Sequence, residues 1–143
     1  MAWTFALNAE CGERATHAHD LARHFDGWPA SVFPGDGAWW CGIAPEGLSR
    51  TGAHTREEAA AMTAAGRRLY WLLRTAPPVY RYALAGIETD LFRHHDELLA
   101  EKDLTIFPGL VVSDRIWTAT GSHAEFSEFA PGYRWLPYRG ETP

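Results

Sequence analysis

A chain of 143 residues, 46% hydrophobic and with seven Trp, is long enough for one core, and such a core buries roughly two-thirds of the surface of the unfolded chain. Its formal charge of −5 gives no general attraction to a phosphate backbone or an anionic membrane, which sets nucleic-acid and membrane-surface binding aside. No run of about 18 apolar residues occurs and no basic leader precedes an apolar core, so a cytoplasmic protein is expected.

Residues 3 to 8, WTFALN, are aromatic and partly alternating, which predicts an opening strand. A helix is predicted from Glu13 to Phe25, because Ala18, Leu21, Ala22 and Phe25 form one stripe and Gly27 supplies a stop. Cys11 and Cys41 lie 30 residues apart and match no zinc or redox spacing. Two reduced, partly buried thiols are expected, with a single disulfide as the alternative. In SVFPGDGAWWCGIA the cluster Pro34-Gly35-Asp36-Gly37 separates two apolar stretches. Proline fixes φ there and glycine permits positive φ, so a β-hairpin is predicted.

Thr55 with Glu58 three residues later is a capping-box signature. Met62, Ala65, Leu69, Leu72 and Leu73 supply the apolar face of a helix running from Arg56 to Arg74 and ended by Pro77-Pro78. VYRYALAGIETDLF alternates as a strand, with Tyr80, Tyr82 and Leu84 on one face and Val79, Arg81 and Ala83 on the other. HHDELLAEK reads as a short helix or turn, and TIFPGLVVSDRIW carries a strand around Leu110 to Val112. The end, EFAPGYRWLPYRGE, alternates aromatic and polar groups around two prolines, which suits an edge strand or an extended arm. With no repeat, low-complexity tract or linker, the chain reads as a single globular α+β domain over residues 1–143. Its architecture is an antiparallel or mixed β-sheet with two or three helices packed on one face.

The stretch THAHDLARHF, residues 16 to 25, holds three histidines and an aspartate. A helical turn of about 100° per residue puts His17, Asp20 and His24 within roughly 60° of one another. The two histidines are two turns apart, roughly 10 Å, whereas a metal needs ligand bonds of about 2 Å. Asp20 and His24 alone have the four-residue spacing of a helical ligand pair, and a site there needs a third ligand from His54, His94, His95 or His123. The plainer reading makes them a polar flank of the helix, an i,i+4 surface pair with no metal and no cofactor.

His94-His95-Asp96-Glu97 offers acid–base groups, but Asp96 and Glu97 also suit the start of a short helix, where they complement its dipole. Ser113-Asp114 and Ser122-His123 lack the glycines of a nucleophile elbow. PGDG and ALAG lack the spacing of a phosphate-cradling loop. Nothing here points firmly to an enzyme. Twelve of the 13 basic residues are Arg, with Lys102 the single Lys, a bias that points to a GC-rich bacterial genome before it points to function. The densest basic groups are Arg67, Arg68 and Arg74, then Arg134 and Arg139.

Aromatic side chains cluster with these arginines. Trp39 and Trp40 are adjacent, so on a strand they face opposite sides. Tyr133, Arg134, Trp135, Tyr138 and Arg139 alternate near the end, and Trp, Tyr and Arg are the residues enriched where proteins bind one another. The expectation is therefore a non-enzymatic module that binds another protein through Trp39, Trp40, Tyr133, Arg134, Trp135, Tyr138 and Arg139. A small bacterial immunity or antitoxin-like inhibitor is its concrete form, with a cationic partner suggested by the net charge. The alternative is a small metal-assisted hydrolase using Asp20, His24 and a later histidine.

Overall fold

The computed structural model describes residues 4–89 and 92–143. Its elements run β1 (Phe5–Glu10), α1 (Ala15–His24), β2 (Ala30–Gly35), β3 (Ala38–Ile43), α2 (Arg56–Leu73), β4 (Tyr82–Ile87) and α3 (His95–Ala100). A 3-10 turn at Leu104–Ile106 leads to β5 (Val111–Ser113), α4 (Asp114–Ala119), β6 (Ser127–Ala130) and β7 (Tyr133–Trp135). The strands form one sheet in the order β2-β3-β1-β4-β5-β7-β6, every neighbouring pair antiparallel. The protein is thus α+β with an antiparallel sheet, as its periodicities predict.

β1 is central, paired through Leu7↔Ile43 to β3 and through Leu7↔Ala85 to β4, and all six of its residues are buried. Phe5, Leu7 and Ala9 join Ala18 and Leu21 of α1 and Met62, Leu69 and Leu73 of α2 in one hydrophobic cluster. Trp40, Tyr82 and Val112 join Leu98 of α3, Leu104 and Ile116 of α4 in a second. Two helices therefore share one face as expected, and two shorter ones close part of the other. Periodicity within a six-residue helix carries no information about which side of a sheet it covers.

Local chemistry explains the boundaries. The Thr55 hydroxyl accepts from Glu58 N–H at 3.1 Å and the Glu58 carboxylate accepts from Thr55 N–H at 3.0 Å, which completes the capping box of α2. The β2–β3 turn is Asp36-Gly37 alone, with φ of 51° and 79°, the pair of positive values a tight two-residue hairpin needs. Pro34 and Gly35 lie inside β2, opposite Trp39 and Ala38. β2 is an edge strand, so the N–H that Pro34 lacks has an unpaired side available to it. Tyr80, grouped by alternation with Tyr82 and Leu84, instead joins the first cluster, because regular strand geometry begins only at Tyr82. Trp3 of the first predicted strand and Asp90 and Leu91 of the fourth lie outside the described residues.

The C-terminal stretch divides. β6 is the edge strand, β7 lies between it and β5, and the residues after Trp135 form an extended arm along α2. Glu141 N–H donates to Thr63 Oγ1 at 2.8 Å, the Tyr138 hydroxyl donates to Glu141 Oε2 at 2.8 Å, and Tyr138 rests on Gly66, where a Cβ would come within 2.8 Å of that hydroxyl. Burial raises the Glu141 carboxyl above its ordinary range, against the opposing pull of the Tyr138 hydrogen bond. A carboxyl raised in the folded state stabilises that state fully below its unfolded value, and the contribution is lost as pH rises through the folded value. Protection of the Glu141 amide is therefore expected to be greatest in acid and to fall as pH passes the raised value. Glu141→Gln is expected to flatten that dependence, and protection that rises with pH in the parent protein would contradict the assignment.

Candidate functional site

α2 turns its apolar stripe inward and leaves Arg67, Arg68 and Trp71 outward. Spacings of three and four bring these and Arg74 onto one side of the helix. Trp71 is 74% exposed, the most exposed large hydrophobic residue described. Shallow depressions of about 260 and 440 Å³ flank it, the first walled by Trp135 and Tyr138 and the second by Trp28.

Two of the surrounding arginines are held by rings. The Arg68 guanidinium lies 5.0 Å from the Trp28 centroid, and that of Arg74 lies 4.9 Å from Trp135 and 4.5 Å from Phe129. Arg74 also donates to the Phe129 carbonyl at 2.6 Å. A guanidinium stacked on a ring keeps its charge and loses much of its conformational freedom. Among the described residues no carboxylate pairs with Arg67, Arg68 or Arg74, so an acidic chain presents an uncompensated positive patch here.

Of the seven residues expected to contact a partner, Trp135 and Tyr138 reach this patch, whose arginines are the densest basic group of the sequence. The others are placed elsewhere. Tyr133 is buried, stacked 4.2 Å from Tyr80 and donating to its carbonyl at 2.7 Å. Trp40 is buried in the second cluster while Trp39 packs half-buried against the first, the opposite orientation that the pleat demands. Arg134 lies 3.9 Å over the Trp117 ring, near Asp114 at 3.6 Å, and Arg139 is exposed on the arm. Trp71 and Trp28 were not singled out by sequence reasoning. The available signal was that Trp71 falls off the apolar stripe of a helix whose last two turns hold three arginines.

His24 Nε2 lies 2.7 Å from the Leu72 carbonyl, which makes it a donor tying α1 to α2 and occupies one of its two ring nitrogens. Asp20 pairs with Arg23. Among the described residues no three His, Cys, Asp or Glu side chains converge as metal ligands. Dialysis against a chelator is expected to leave the melting temperature unchanged, and a fall on chelation would restore the metal reading.

Several of the other chemistry-bearing residues serve the ends of short helices. Asp96 and Glu97 occupy the first turn of α3, where Glu97 accepts from His94 N–H at 3.3 Å, and Ser113 caps α4 by accepting from Ile116 N–H at 3.3 Å. Cys11 and Cys41 are free and buried. Burial pushes the Cys41 thiol up to about 12 and raises Cys11 as well, so neither holds a thiolate at neutral pH. Among the described residues no helix is long and apolar enough to cross a membrane. Comparison of the chain with protein families, with curated proteins and with solved structures finds no match.

Proposed function

We propose that this chain is a non-catalytic protein-binding module, of the kind an immunity or antitoxin-like inhibitor represents, and that its contact surface is the outward side of α2. The observation that carries the reading is Trp71, 74% exposed and flanked by arginines that pair with no carboxylate among the described residues. Leaving a Trp in water forgoes a large burial free energy that a partner's surface would recover, and Trp and Arg dominate measured interface energies. The net charge suggested a cationic partner. The local chemistry reverses that sign, since the partner's contacting surface must supply carboxylates to Arg67 and Arg68, and the acidic remainder of the chain would repel and so orient such a partner.

Purified parent protein, Trp71→Ala and the double reversal Arg67→Glu with Arg68→Glu would be compared for complex formation in extracts of the source cells. The expected result is a stoichiometric complex with the parent alone, affinity falling about 100-fold in either variant and weakening with salt. Equal binding by all three proteins would refute the assignment. Because Trp71 is exposed, its replacement is expected to change folding stability by less than about 0.5 kcal/mol.

A further inference from the structure

The half of the sheet built from β2, β3 and β1 has one face that α3 and α4 leave partly uncovered, and a cleft of about 780 Å³ opens there. Its size is that of sites holding small organic molecules, roughly 300–1,000 Å³. Phe33, Trp40 and Phe92 wall it, and Ala6, Asn8 and Gly42 line it beside them. Phe33 and Trp40 are cross-strand partners with nearly parallel rings, 7° apart, so two flat apolar surfaces lie side by side.

Asn8 is 4% exposed, in mid-strand at the centre of the sheet. Its amide orientation is fixed by a relay: Nδ2 donates to Thr89 Oγ1 at 2.8 Å, and that hydroxyl donates to the Ala6 carbonyl at 3.0 Å. The hydroxyl spends its one proton on Ala6, so only the amide nitrogen can face it. Oδ1 is thereby left toward Gly42, where a Cβ would come within 2.7 Å of it, and no described residue donates to it. Without a protein donor, this oxygen is open to the cleft, where a ligand's N–H can replace the water that reaches it. Asp36 is the one charged residue among those described that line the cleft, and no Arg, Lys or His joins it.

We propose that this cleft binds a small planar aromatic ligand that is neutral or cationic and donates a hydrogen bond, as an aromatic amide or amidine does. The rings of Phe33, Trp40 and Phe92 select flatness and accept a cation on their faces. Asn8 Oδ1 selects a donor, and Asp36 disfavours anions. Gly42 is required because any side chain there displaces the Asn8 amide.

Three probes of nearly one shape separate these terms: benzamidine, a cationic donor; benzamide, a neutral donor; and benzoate, an anion with no donor. Titrated into the isotope-labelled full chain, benzamidine and benzamide are expected to shift the Asn8 side-chain amide and Trp40 indole signals, saturating in the millimolar range, and benzoate to leave them in place. Asp36→Asn keeps a residue that tolerates positive φ, and is expected to weaken benzamidine about two- to fivefold while leaving benzamide unchanged. Phe33→Ala, on the edge strand, is expected to weaken both donors about fivefold. Should Phe33→Ala fail to fold, the Asp36→Asn comparison decides alone. Benzoate binding as well as benzamidine, no shift up to about 10 mM, or shifts confined to the Trp71 side of the molecule would each overturn the proposal. Trp71→Ala is expected to leave these titrations unaltered, so this site and the protein-binding surface stand or fall separately.

Discussion

Replacing Arg81 by alanine is expected to lower folding stability by about 3–5 kcal/mol, a fall in melting temperature of roughly 10–17 °C for a chain of this size. Glu10 is 0% exposed at the end of the central strand, and its carboxylate accepts from Gly12 N–H at 2.7 Å and from Arg81 Nε at 2.7 Å, with the second guanidinium nitrogen on its other oxygen. The pair is bidentate, and the guanidinium reaches solvent while the carboxylate does not. Removing the cation therefore strands a buried charge. Converting both partners, Glu10→Gln with Arg81→Met, is expected to recover at least half of the loss, because glutamine still accepts from Gly12 and carries no charge. Thermal melts of the three proteins check this. A single variant as stable as the parent would show that the pair contributes nothing.

Tyr70→Phe is expected to cost about 2–4 kcal/mol for the removal of one oxygen atom. β4 and β5 are paired only at Tyr82↔Val112 and Ala83↔Val111, and beyond that point the strands part. The buried Tyr70 hydroxyl sits in the gap, accepting from Ala85 N–H at 2.9 Å and donating to the Gly109 carbonyl at 2.8 Å. One phenol thus replaces a rung of the ladder, and without it two backbone groups lose their partner. Gly109→Ala attacks the same joint from the other side. Its φ of +92° disfavours a side chain and a Cβ would stand 2.5 Å from the Tyr70 oxygen, so a loss of similar size is expected. Denaturant melts test both, and Tyr70→Phe within about 0.5 kcal/mol of the parent would contradict the bridging role.

These two joints also mark the limit of what the residues in order can reveal. α2 was legible because its signals are local: a cap at Thr55 and Glu58 and an apolar stripe from Met62 to Leu73 repeating over about three turns. The β2–β3 hairpin was legible because Asp36-Gly37 has few alternatives to a tight turn, although Pro34 and Gly35, expected in the turn, were absorbed by an edge strand. Strand order was not legible. FALNAE does not announce that it is the centre of the sheet, because only the pairing of β3 and β4 on either side buries Asn8 and Glu10, and both polar residues then acquire meaning from partners about 70 or 80 positions away.

The candidate site shows the same division. Trp135 at the end of β7 and Tyr138 on the arm were singled out by residue type, and both stand beside the proposed surface. Their neighbours Trp28 and Trp71 come from other elements and meet them only in the fold. Tyr133 and Trp40 have the composition of interface residues and are instead consumed by the two cores, which no spacing rule distinguishes.

The reading of the outward side of α2 as a protein-binding surface is tested most directly by covalent capture. A photo-reactive phenylalanine analogue placed at Trp71, in the cells that make the chain, is compared with the same analogue at the exposed Glu57 on the first turn of the same helix. The expected result is one predominant adduct from position 71, absent from position 57 and lost when Arg67 and Arg68 are both changed to Glu, with an acidic surface on the captured protein. No adduct at 71, or one that persists through the charge reversal, would contradict the account.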